Sequence, residues 1–268
     1  MLQLAFAAFL ATVPVPAAHA TTLRTPSGVT FSVLGAKPAR PAPTLFVFAA
    51  DRVGALESDE FNACGKVLQR TVGCLCVSLD MPAHGDDRVA GTPSGLDGWR
   101  YRLDRKQDIV TPLLLQTKAV LDYLIREGWT DARRVAIAGN SRGGYMALQA
   151  AGAEPRFGAV ALFSPVTELT VLKEFKGLPD QPLAQSAAVP HLVEHLAGRP
   201  IWICIGNADP RVGTRQAIAF YLALVAAAQH AGRPAPAELH VMESEGHHTP
   251  AAASDLAAAW LGEKLSAP

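Results

Sequence analysis

Apolar residues fall along this chain in two alternating textures. Short runs rich in Val, Ile, Leu and Phe occupy residues 29–34, 44–49, 74–79, 134–138, 159–163, 201–206 and 238–243, the later ones almost without polar interruption. Alternate side chains of a strand point to opposite sides of its sheet, so a continuously apolar run predicts a strand covered on both faces. Between these runs lie longer helix-like stretches at 57–70, 104–128, 143–152, 214–231 and 251–265. Strand and helix in regular alternation predict an α/β fold: a mainly parallel sheet with helices on both faces. Residues 38–43 read as a turn between an early hairpin and the main sheet.

No internal repeat or low-complexity segment interrupts this pattern, and no linker divides it, so residues 21–268 read as one domain. One connection is longer than the rest. Residues 167–199, with helix-like pieces at 169–175 and 190–196, separate two strand candidates, and a long excursion of that kind reads as a small cap or lid.

The first twenty residues stand apart. They hold an apolar run from Leu2 to Val13, Pro14 and Pro16, then Ala18-His19-Ala20, and the first charged residue is Arg24. The small-x-small ending fits a signal peptidase site, and the apolar run is too short to remain as a membrane span. Residues 1–20 are therefore expected to be a signal peptide and the rest to be exported, periplasmic or secreted, with no stable membrane insertion. The basic residues that usually precede such a run are missing.

Composition narrows the partners. The 268 residues carry 24 Lys plus Arg against 24 Asp plus Glu, and 49% are hydrophobic. A zero formal charge argues against a nucleic-acid partner, whose phosphates call for a basic surplus. The four cysteines, Cys64, Cys74, Cys76 and Cys204, are expected to be buried thiols. Cys74 and Cys76 alternate in one strand candidate and so face the same side, a poor geometry for a mutual disulfide. No phosphate-binding loop, zinc-helix motif or dinucleotide fingerprint is present, so no metal, flavin or nucleotide cofactor is implied.

The strongest chemical signal is G-x-S-x-G at Gly139, Ser141 and Gly143, directly after one strand candidate and directly before a helix. That context suits a nucleophile elbow, a sharp strand-to-helix turn that lifts a serine hydroxyl above the sheet edge. Partners follow downstream. The strand run extended from Pro200 to Ala208 ends at Asp209-Pro210, at the carboxyl edge where catalytic groups gather, and Gly246-His247-His248 follows the last strand candidate. His248 is the alternative to His247, and Glu243 and Glu245 are alternatives to Asp209.

With these residues in place the sequence resembles the α/β-hydrolase superfamily, and within it the small serine esterase, dienelactone-hydrolase and acylaminoacyl-peptidase-like branch. The resemblance runs from about Thr44 to the C-terminus. It rests on Gly139-Asn140-Ser141-Arg142-Gly143-Gly144, Gly206-Asn207-Ala208-Asp209, Gly246-His247 and the turn Asp80-Met81-Pro82-Ala83-His84-Gly85. It implies the α/β-hydrolase fold, a cap segment after the family's sixth strand, and a Ser141-Asp209-His247 triad that cleaves carboxylic esters through an acyl-enzyme. It also implies an oxyanion hole built from the backbone N–H of Arg142 and one from Ala50 or Asp51. An acidic side chain there departs from the family's usual His-Gly, and Arg52 and Arg142 are candidate partners for Asp51.

Two further features carry expectations. His84 reads as a loop-shaping residue rather than a base or metal ligand, and Trp202 as core. Gly98-Trp99-Arg100-Tyr101-Arg102 reads as a loop that either binds a carboxylate or ring or serves as helix-start packing. Alternatives to the esterase are a peptidase or amidase of the same fold, although about 250 residues leave no room for a gating propeller, and a non-catalytic binding protein. A small-molecule ester or acyl compound is the expected partner.

Overall fold

A computed structural model describes residues 19–178 and 192–266. Eight strands form one sheet: β1 (Ala20–Arg24), β2 (Thr30–Leu34), β3 (Ala42–Phe48), β4 (Leu75–Ser78), β5 (Thr130–Asn140), β6 (Phe157–Phe163), β7 (Ile201–Ala208) and β8 (Ala237–Glu245). Their order across the sheet is β1-β2-β4-β3-β5-β6-β7-β8. The β1–β2 hairpin and the β2–β4 pair are antiparallel, and every pair from β4 to β8 is parallel. This is the α/β architecture that the alternating apolar runs predict. The hairpin's first strand was hidden in the sequence because its exposed Thr21, Thr22 and Arg24 interrupt any apolar run.

The sheet's two faces are packed differently, and the strand period of two explains how. On one face, Phe46, Phe48, Val135, Ile137, Val160, Leu162, Ile203 and Ile205 meet α3 (Gly95–Asp104), α4 (Thr111–Arg126), α5 (Arg142–Ala153) and α7 (Thr214–His230). On the other, the intervening positions Ala136, Ala138, Ala159 and Ala161 are small and meet α8 (Ala253–Ser266). Beside α8 lie α1 (Arg52–Glu57) and α2 (Asp59–Val72), through Leu56, Cys64 and Leu68. Helix α5 follows the central strand and is buried from Gly143 to Ala151, so the segment after Ser141 is clamped by packing on all sides. The remaining helix, α6 (Val193–Leu196), is a single turn.

Two expectations are corrected. The helix-like stretch 104–128 is divided: α3 ends at Asp104 and α4 begins at Thr111. Pro112 lacks an N–H and belongs in a first turn, and Asp108 Oδ1 accepts the free N–H groups of Val110 and Thr111 at 2.8 and 3.1 Å, which starts the helix there. Residues 98–102, read as a loop, lie inside α3. Trp99 is fully buried with its indole N–H on the Pro82 carbonyl at 2.6 Å, Arg100 pairs with Asp104, and Arg102 pairs with Asp87. The loop placement is corrected, and of the two roles offered for this stretch the helix-start packing one holds, since these side chains are used in packing and helix pairing.

Of the cap segment, residues 167–178 and 192–199 are described. They include two short 3-10 turns, Leu169–Val171 and Lys173–Phe175, and α6; the expected boundary of a helix-like piece at Pro190 lies outside the described residues. The leader's residues 1–18 also lie outside them. All four cysteines are free and buried. Among the described residues no helix is long and apolar enough to cross a membrane.

Trp202 fills the face covered by α8, with 1% of its surface exposed, and stacks at a tilt on Phe163. Trp202→Ala is expected to cost about 3–5 kcal/mol, the range for an aromatic-to-alanine cavity in a close-packed core, measured by urea unfolding.

Candidate active site

The elbow is built by crowding. Ser141 sits between β5 and α5 at φ +51°, ψ −116°, a conformation that L-residues avoid. A Cβ on Gly143 would lie 2.0 Å from the Phe48 carbonyl oxygen, so the end of β3 touches the first turn of α5 and only glycine fits between them. The turn is fixed further by the Ser141 N–H on the Phe163 carbonyl at 2.9 Å and by the Ser141 carbonyl, which accepts from Gly144, Tyr145 and Val166.

From this raised position the Ser141 hydroxyl lies 2.9 Å from His247 Nε2, and His247 Nδ1 lies 2.7 Å from Asp209 Oδ2. Asp209 follows β7 and is wholly enclosed as a side chain, whereas His247 keeps 27% of its side chain exposed. A buried carboxylate accepting at Nδ1 leaves Nε2 as the free lone pair facing the serine O–H. Asp209 Oδ1 accepts the N–H groups of Arg211 and Val212 at 2.8 and 3.1 Å. Burial is the largest single influence on this carboxyl and raises its pKa. The His247 contact and the two backbone N–H groups together outweigh it and hold the carboxyl below its ordinary value.

The ring that joins serine to acid is therefore that of His247. His248 contributes its carbonyl instead, which accepts from the Ser164 and Ser244 hydroxyls at 3.4 and 3.3 Å. Glu243 and Glu245 belong to β8, and Asp209 is the carboxylate that meets the imidazole. Asn140 Nδ2 donates to Thr249 Oγ1 at 2.9 Å and ties the histidine loop to the end of β5. Asn140 and Ser164 thus support the loop from below, a role that sequence reasoning missed. Asn140 lay within the elbow motif as a clue; nothing in the sequence distinguished Ser164, which adopts φ +42°.

Arg142 opens α5, where first-turn N–H groups have no helical partner, and the loop after β3 adjoins it through Gly143. Ala50 accepts the Met81 N–H through its carbonyl at 2.9 Å. The Asp51 carboxylate is turned to the Gly54 N–H at 2.8 Å and caps α1. The suggested pairing of Asp51 with Arg52 or Arg142 is corrected. Arg52 is taken by Asp80 and Asp86, and Arg142 donates to His84 Nε2 at 2.8 Å.

The 80–85 turn is shaped by the same contacts. Asp80 accepts from the Arg52 N–H at 2.8 Å, from the Arg52 guanidinium and from the Asp86 N–H at 2.9 Å. His84 Nδ1 donates to the Pro82 carbonyl at 2.9 Å, since a carbonyl only accepts, and this leaves Nε2 to receive Arg142. Burial, the largest influence, lowers the His84 pKa and favours this neutral ring. Among the described residues no three His, Cys, Asp or Glu side chains gather into a metal-binding group.

Comparison with known proteins places the fold. Residues 94–266 match the prolyl oligopeptidase family. No curated protein matches the chain. Solved structures with the same fold include TT1662 from Thermus thermophilus, at TM-score 0.69 and 19% identity over 93% of this chain and 99% of that one. Acetyl xylan esterase 1 from Thermoanaerobacterium matches at TM-score 0.64 and 17% identity, over 96% and 86%. A puromycin-hydrolyzing peptidase from Mycobacterium tuberculosis matches at 0.63 and 18%, over 94% of this chain but only 40% of its own length. The likeness establishes the α/β-hydrolase fold.

A carboxyl with a folded pKa below its unfolded value of about 3.9 adds stability above that value and loses it as pH falls through the lower, folded one. Unfolding free energy measured from pH 6 down to pH 2 is expected to fall less steeply on the acid side in Asp209→Asn than in the wild type.

Proposed function

The chain belongs to the prolyl oligopeptidase family of α/β-hydrolase-fold serine hydrolases, and on that footing we propose that it cleaves carboxylic esters through an acyl-enzyme formed on Ser141. The observation that carries this reading is the continuous Ser141-His247-Asp209 hydrogen-bond relay beneath a strained elbow. Ser141 Oγ attacks the ester carbonyl carbon while His247 Nε2 takes the hydroxyl proton. Asp209 holds the ring tautomer and stabilises the imidazolium. The carbonyl oxygen becomes an oxyanion facing the Arg142 N–H and an N–H of Ala50 or Asp51. His247 then returns the proton to the leaving alkoxide, and water repeats the sequence to release the acid.

An amide-cleaving reading draws support from the family's name and from the puromycin-hydrolyzing neighbour, while the acetyl xylan esterase neighbour supports the ester. Both use the same relay and differ in the leaving group. Export is proposed as well, on the strength of the leader alone. Ala20 heads β1 and its N–H donates to Glu57 at 2.9 Å, so a cut after Ala20 removes one rung of the hairpin and leaves the other four.

Ser141→Ala is expected to lower kcat on short p-nitrophenyl esters by about ten-thousandfold or more. A fluorophosphonate should add to Ser141 of the wild type, read by mass spectrometry of the labelled peptide; folded protein that takes no label refutes the nucleophile. Rates on a matched acyl ester and acyl amide decide between the two leaving groups. Native protein recovered from its source should begin at Thr21, and an intact Met1 refutes export.

A further inference from the structure

Beside the relay stands a cation that the proposed chemistry leaves unused. Arg142 directly follows the nucleophile, so the elbow fixes its backbone, and its side chain reaches to His84 and to Gly95 at the start of α3. The other charges that act on it are Arg211, two residues after Asp209, and Glu174 of the cap segment. Those two neutralise each other through paired contacts of 2.6 and 2.9 Å. The carboxylates nearest His84 are also committed, Asp51 to the cap of α1 and Asp80 to Arg52. Among the described residues no carboxylate forms an ion pair with Arg142.

A half-buried cation without a counter-ion is an unfavourable arrangement, because lost hydration is not replaced by an opposite charge. Burial lowers the Arg142 pKa accordingly. His84 does not relieve this. Its ring is neutral, with Nδ1–H on the Pro82 carbonyl, so it orients the guanidinium without cancelling its charge. A guanidinium has five N–H donors in a planar fork, and the single contact to His84 leaves enough of them for a two-pronged bond to a carboxylate.

We propose that Arg142, held by His84, is a carboxylate-binding subsite of the active site, which selects esters bearing a free carboxylate on the acyl or the alcohol portion. The proposal rests on the reading of Ser141 as nucleophile. Arg142 would contribute in two separable ways: its backbone N–H to the oxyanion, which side-chain substitution leaves in place, and its guanidinium to the anionic group of the substrate.

The test compares kcat/KM on two matched pairs. Mono-p-nitrophenyl succinate against p-nitrophenyl butyrate varies the acyl charge, and 4-acetoxybenzoate against phenyl acetate varies the alcohol charge. The wild type should favour the charged member of at least one pair. Arg142→Gln should reduce that charged-to-neutral ratio by about tenfold or more, and Arg142→Lys by less, since damage common to both esters cancels in a ratio. Neutral esters turned over with neither ratio sensitive to Arg142 overturns the subsite and leaves the nucleophile standing. A wild type that cleaves none of the four esters and takes no fluorophosphonate removes both. Inhibition of wild-type phenyl acetate hydrolysis by glutarate, compared with glutaramide, needs no variant: stronger inhibition by the dianion supports the subsite, and equal inhibition refutes it.

Discussion

Everything at the carboxyl edge of this sheet depends on the absence of side chains where β3, β5 and α5 converge. With Gly143 pressed against the Phe48 carbonyl, α5 starts so close to the sheet that the chain must pass through φ +51° at Ser141. The cost of that conformation, of order 1–3 kcal/mol, is met by the burial of α5 on every side and by the backbone bonds from Phe163 and Val166 that pin the turn. The serine hydroxyl is thereby held outward before any substrate arrives. Asp209 is fixed by a comparable device, two backbone N–H groups on one oxygen and an imidazole on the other. Geometry at both ends of the relay is set by main chain, and the histidine between them is the partly exposed and adjustable member.

The parts legible in the sequence were those with a local physical cause. Continuous apolar runs marked the strands because burial on both faces excludes polar residues, and the elbow was visible because a tight turn demands glycine at fixed spacing. The relay could be ordered along the chain because strand ends follow directly from strand assignments. What stayed hidden depended on contacts between distant segments. It is the His247 ring that lies between Ser141 and Asp209, while the His248 carbonyl accepts from the hydroxyls of Ser164 and Ser244, contacts that sequence alone does not reveal. The partners of Arg52 and Arg142 could not be assigned because Asp80, Asp86 and His84, which take them, come from a turn about thirty residues beyond Arg52 and about sixty before Arg142, and only the fold brings them together. Residues 98–102 were left between a ligand-binding loop and helix-start packing because the buried indole of Trp99 and its bond to Pro82, which decide for packing, were invisible in the sequence.

The charges around the site are arranged unequally. Arg52 is surrounded by Asp80 and Asp86, and Arg211 is matched by Glu174, so these arginines brace loops. Arg142 is met by a neutral ring. The same residue type thus serves as a structural clamp at two positions and remains chemically available at a third, and the difference lies wholly in its neighbours.

The unequal packing of the two sheet faces has a consequence for how such a protein changes over time. Enlarging the alanines of β5 and β6 that meet α8 would overpack that layer, whereas Ser141, Asp209 and His247 lie on turns and loops that follow strand ends. Substitutions in those turns and in that layer therefore answer to different constraints, hydrogen-bond geometry in the one and close packing in the other.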